Sequence, residues 1–102
     1  MQPEHWDATR DGPLSERVMY DKLTARGYAV NRWVYPPGTV FAMHSHNLDK
    51  IDAVLAGRFK MTMQGQSIIL EAGDCLVVPK GVMHSAEVVG DDAVVSLDAV
   101  RL

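Results

Sequence analysis

The sequence predicts an all-β domain, an antiparallel sandwich or barrel preceded by one short helix. Three observations carry that prediction. Eight short runs of strand-like composition follow one another between Tyr28 and Val100. Gly-Gln, Ala-Gly-Asp, Lys-Gly and Gly-Asp-Asp stretches punctuate them at regular spacing, and these residues supply turns. No apolar pattern of helical period interrupts the series, which disfavours a parallel sheet with crossover helices.

Taken in order, Met1 to Gly12 is polar and mixed, with Pro3, Asp7, Asp11 and Gly12 offering turns. It is expected to drape over the domain, with His5 at the surface. From Pro13 to Arg26, Leu14, Val18 and Leu23 recur at near-helical spacing. Pro13 suits a first helical position and Gly27 a C-terminal cap, so a short amphipathic helix is expected there. Tyr28 to Tyr35 then alternates and is rich in β-branched and aromatic residues before Pro36-Pro37-Gly38 ends it. The further strands are expected over Val40 to His44, Ile51 to Leu55, Arg58 to Met63, Ser67 to Leu70, Cys75 to Val78, His84 to Val89 and Ala93 to Val100. The chain divides into an N-terminal segment, residues 1–27, packing on the barrel or a partner, and the barrel itself, residues 28–102.

A chain of 102 residues with 47% apolar content fits one domain with one core. A net charge of −3 with 23% charged residues gives no basic excess for nucleic acid or an anionic membrane, so neither is expected as a partner. No run approaches the roughly 20 apolar residues that span a bilayer, and Met1 to Gly12 lacks the apolar core of a signal peptide. The cytoplasm is the expected location, and the lone Cys75 agrees with a reducing compartment.

Chemistry concentrates between Pro36 and Gly57. His44 and His46 are two apart on an extended run, so both imidazoles project from one face toward one point. His84 follows the strand Cys75 to Val78 and the turn Pro79-Lys80-Gly81, close enough to be delivered by a neighbouring strand. Three neutral imidazoles bind a divalent transition metal ion, iron, manganese, nickel or zinc, and leave coordination positions open.

The spacing of Gly38, His44, His46 and Gly57 resembles the first cupin motif, G-X5-H-X-H-X3-E-X6-G. Gly73, Pro79, Gly81 and His84 resemble the second, G-X5-P-X-G-X2-H-X3-N. The resemblance covers about Val30 to Val100 and implies a small jelly-roll, or double-stranded β-helix, barrel around a central cavity. Lys50 stands where the first motif has glutamate and Val88 where the second has asparagine.

A protonated ammonium has no lone pair and opposes a divalent cation in a poorly polarisable pocket, so Lys50 does not stand in for glutamate. Three arrangements are open. Lys50 swings to the barrel mouth and the site is three-His; it pairs with Asp52 on the same strand face; or the metal is weak or absent. Asp52 shares strand parity with Lys50 and is a candidate fourth ligand, while a one-residue bulge would bring in Asp49 instead. Phe59, Met61 and Met63 share one strand face and pack a core or line an apolar pocket. Arg32, Trp33 and Tyr35 frame a pocket, an interface or simple packing.

The resemblance implies a metal-dependent oxidoreductase of dioxygenase type acting on a small organic substrate, with Lys50 and Asp52 as catalytic candidates beside the three histidines. A non-catalytic module that binds or senses a small-molecule ligand is the alternative of a different class, and a metal-dependent isomerase or lyase is a third. The chain is expected to form a homodimer, with Trp6, Leu14 and Val18 covering a neighbour's sheet edge.

Overall fold

A computed structural model describes residues 1–102. Eight antiparallel strands form two four-stranded sheets. These are β1 (Tyr28–Tyr35), β2 (Val40–His44), β3 (Lys50–Ala56), β4 (Arg58–Met63), β5 (Gln66–Leu70), β6 (Cys75–Val78), β7 (His84–Val89) and β8 (Val94–Arg101). One sheet has the order β1-β8-β3-β6 and the other β2-β7-β4-β5. All eight expected strands are present, with ends moved by at most one residue.

The strand β3 explains how the barrel is layered. Lys50, Asp52 and Val54 point into the barrel, where Val54 joins a core with Phe59, Met61, Leu76, Val78 and Val94. Ile51 and Ala53 point outward into a second core with Leu97, Ala99, Met19 and Leu23. A strand covered on both faces loses the alternation that a half-exposed strand shows, and five consecutive residues from Lys50 to Val54 are buried.

The N-terminal segment supplies that second cover. It holds a one-turn helix, α1 (Ala8–Asp11), that the sequence reading missed, and α2 (Glu16–Ala25). The longer helix starts after Ser15, whose side chain accepts from Val18 N, so serine caps it and Pro13 lies outside. Gly27 follows the last turn with φ of 91°, the left-handed conformation expected of a terminating glycine. Met19, 0% exposed, and Leu23 insert against the outward face of β3 and β8.

Before the helices, Glu4 pairs its backbone with Cys75 through bonds of 2.8 and 2.9 Å. The segment therefore covers the β6 edge and the outer sheet of its own barrel, one of the two placements the sequence leaves open. Trp6 and Leu14 pack into that same core, and Val18 is left exposed. Gly73 makes this possible, because a Cβ there would meet Trp6 Cβ at 2.7 Å.

Candidate metal centre

His44 and His84 are placed by strand pairing. β2 runs antiparallel to β7, and a register shift between Phe41 and His44 sets His44 directly opposite His84. Their ring centroids are 4.3 Å apart. His46, just past the end of β2, closes the triangle at 4.7 Å from the His44 ring and 5.1 Å from the His84 ring. One ligand atom from each of the three lies within 4.8 Å of the others.

The histidines are also oriented. His44 Nδ1 lies 2.6 Å from the Ala42 carbonyl and His84 Nδ1 lies 3.0 Å from the Val82 carbonyl. A carbonyl only accepts, so both Nδ1 atoms carry the proton and both Nε2 atoms keep a lone pair. His46 Nε2 is buried with no hydrogen-bond partner. Burial, then the positive charge of Lys50, holds His46 below the ordinary imidazole pKa, and burial does the same to His84 against the opposing Val82 hydrogen bond. Two imidazoles whose Nδ1 atoms are held by backbone carbonyls and one buried nitrogen without a protein partner fit a metal ion.

Lys50 is buried, and its Nζ lies 2.7 Å from Asp98 Oδ1 and 3.8 Å from Asp52 Oδ1. The nearer contact is an ion pair off the hydrogen-bond direction, and Asp98 Oδ1 has no aligned donor. Pairing with Asp52 is one of the expected arrangements; pairing with Asp98 is not among them. Its signal was available: Val94, Ser96 and Asp98 share one parity in β8, and an acidic residue in so apolar a strand is unusual. Asp98 is the cross-strand partner of Asp52, and burial raises Asp52 to about 6, with the Asp98 charge adding and Lys50 opposing. Asp49 is elsewhere: its carboxylate accepts from Lys80 N at 2.7 Å, so it fixes the turn before β3.

These groups open onto a cavity of about 190 Å³. Its apolar wall is Tyr35, Phe41, Phe59, Met61 and Ala86. Tyr35 stacks on Phe59 at 5.6 Å and meets Phe41 edge-on at 4.9 Å. Burial, then the charges of Asp98 and Asp52, pushes the Tyr35 phenol up to about 12, so it stays a proton donor. Of the candidates on β4, Phe59 and Met61 reach the cavity and Met63 stays in the core. Arg32 instead pairs with Glu16 at 2.9 Å and Trp33 is half exposed. Cys75 faces the outer core, 3.6 Å from Met19 Sδ, with burial raising its thiol to about 11. His5 is at the surface, 2.6 Å from Asp74.

Residues 31–100 match the family model described as Cupin domain. No curated protein matches the chain. Among solved structures, a conserved protein of unknown function from Streptococcus pyogenes is 21% identical with a TM-score of 0.66, over 74% of this chain and 64% of that one. A predicted oxalate decarboxylase from Thermotoga maritima is 25% identical with a TM-score of 0.67, over 87% of this chain and 75% of its own. The DMSP lyase DddQ from Ruegeria pomeroyi is 26% identical with a TM-score of 0.67, over 74% of this chain but only 39% of the lyase.

Proposed function

Because the chain belongs to the cupin family over residues 31–100, we propose that it is a metal-dependent enzyme in which His44, His46 and His84 hold a divalent transition metal and a small organic molecule reacts beside them. The observation that supports this most is the buried, unpartnered Nε2 of His46, next to two histidines whose Nδ1 protons are committed to backbone carbonyls. Iron, manganese, nickel and zinc all suit such a set, and a bound ion would polarise a substrate oxygen or, as iron, support dioxygen chemistry.

The chain's own groups would do the rest. Tyr35, Phe41 and Phe59 form a dry wall against which a small substrate is oriented. Asp52, with a pKa of about 6, holds or releases a proton near neutral pH, and Tyr35 donates a hydrogen bond. Lys50 compensates the two aspartates, so its charge is already matched inside the protein.

An oxidative reaction of dioxygenase type is the first reading. A lyase or isomerase reaction is the second, favoured by the Asp52, Asp98 and Lys50 cluster, which offers proton transfer beside the histidines. Two similar structures carry the names of a decarboxylase and a lyase.

The test is elemental mass spectrometry of untagged protein beside a His44→Ala/His46→Ala variant. Near-stoichiometric metal that disappears in the variant supports the proposal, and oxygen uptake by the iron-loaded protein separates the two reactions. Protein that refuses iron, manganese, nickel and zinc overturns it and leaves a metal-free binding barrel.

The proposal includes a homodimer in the cytoplasm. The lone, buried Cys75 supports a reducing compartment. The exposed side chains of Trp33 and Val34 on the edge strand β1 support a subunit contact, which sedimentation of the full chain tests. No helix is long and apolar enough to cross a membrane.

A further inference from the structure

The departure from the first cupin motif in this chain is paired with a residue outside both motifs. Lys50, at the motif glutamate, and Asp98, on β8, sit diagonally across the β3–β8 ladder: Lys50 is opposite Val100 and Asp52 is opposite Asp98. Diagonal positions on one sheet face are within reach of a long side chain. The Lys50 side chain uses that reach, ending 2.7 Å from Asp98 Oδ1. The pair stands where the inner cavity meets an outer groove of about 290 Å³ lined also by His46, Asn47, Leu48 and Val100.

A lysine here has two places to put its charge. Against the histidines it would raise the energy of any cation held there, because like charges a few ångströms apart in a poorly solvated cavity repel strongly. Against the carboxylates of Asp98 and Asp52 it is neutralised, and it neutralises them in turn. The geometry has the second arrangement.

We propose that Asp98 is the positioning residue that lets this chain carry a lysine at the motif glutamate and still bind a divalent cation: it holds the Lys50 ammonium off the three-histidine site. The inference rests on the metal reading above and concerns the affinity for metal, whatever reaction follows.

The experiment is a double-mutant cycle read by the affinity for cobalt(II) alone, measured by competition with a chromophoric chelator. The four proteins are wild type, Asp98→Asn, Lys50→Met and Lys50→Met/Asp98→Asn. Partners of metal ligands typically change affinity by about 10–100-fold when removed. Asp98→Asn is expected to weaken cobalt binding by about that factor, because the released ammonium then faces the histidines.

In the Lys50→Met background the same change is expected to cost less than about threefold, since no ammonium is left to release. That rescue is the signature of a role exercised through Lys50. If Asp98→Asn weakens binding equally in both backgrounds, the carboxylate acts by its own charge and the proposal is overturned; it is overturned too if Asp98→Asn binds like wild type.

Asp98→Asn leaves a buried ammonium short of a partner and risks misfolding. In that event Lys50→Met against Lys50→Met/Asp98→Asn, both free of the buried ammonium, still decides: a loss of tenfold or more between them overturns the proposal. Failure of the metal reading itself is separate, because wild type would then bind no cobalt at all.

Discussion

His44 faces His84 directly across the β2–β7 pair, with ring centroids 4.3 Å apart, because a register shift after Phe41 sets them opposite one another. The two residues lie forty positions apart in the chain, and the sheet alone joins them. His84→Ala should therefore weaken metal binding at least tenfold although His44 and His46 keep their places. Competition with a chelator measures it, and a variant that retains wild-type affinity would show that His84 is not a ligand.

The buried acid and the histidines of the cavity make opposite demands on pH. Folded Asp52 holds its proton up to about 6 against an ordinary carboxyl value of 3.8, so the folded chain binds more protons between those values. Its contribution to stability is complete below the unfolded value and is lost as pH rises through about 6. His46 and His84 have lowered values, so for them the unfolded chain binds more protons below 6.5, and acidification through that point destabilises the fold.

Asp52→Asn removes only the first effect. The metal-free variant should exceed wild type in stability near pH 7, by up to about 3 kcal/mol for a shift of about two units, and the gap should close toward pH 4. Thermal melts from pH 4 to 7.5 show it; parallel curves for the two proteins would refute the burial of an ionised Asp52.

Two motif glycines are spatial requirements. At Gly57, with φ of 82°, a Cβ would collide with the Ala93 carbonyl oxygen, which belongs to rigid backbone. At Gly73 a Cβ would meet Trp6, a side chain on a movable segment. Alanine at either position also carries the strain of a positive φ. Gly57→Ala should be the more damaging, by about 3 kcal/mol or more, with Gly73→Ala nearer 1–2 kcal/mol because Trp6 can shift. Urea denaturation ranks them, and the reverse order would contradict the packing of Trp6.

The helix α2 holds its place through Met19 and Leu23, both essentially unexposed in the outer core. Leu23→Ala should cost about 2–5 kcal/mol, as truncation of a buried leucine does. The same measurement on Val18→Ala, an exposed position on the same helix, should show a change within about 0.5 kcal/mol. Equal losses would mean that α2 packs by a different face.

The strand series, the helix after Pro13 and the three histidines were legible in the sequence because each rests on local rules: period-two alternation, turn residues, and the shared face of residues two apart. The helix start at Ser15 was missed because a proline just outside a helix reads like one at its first turn. Asp98 was missed for a different reason. Parity tells which face a residue takes, but not which residue on another strand it will meet.

What the sequence determined by itself was the all-β architecture, the spacing of His44, His46 and His84, and the anomaly at Lys50. Tertiary structure decided where the anomaly goes: the diagonal offset of β3 against β8 puts Asp98 within 2.7 Å of the Lys50 ammonium. It also decided that the N-terminal segment covers its own barrel, because the outward face of β3 and β8 presents Ile51, Ala53, Leu97 and Ala99, and Met19 and Leu23 close over them. Both outcomes depend on long-range strand register, which no local pattern of residues encodes.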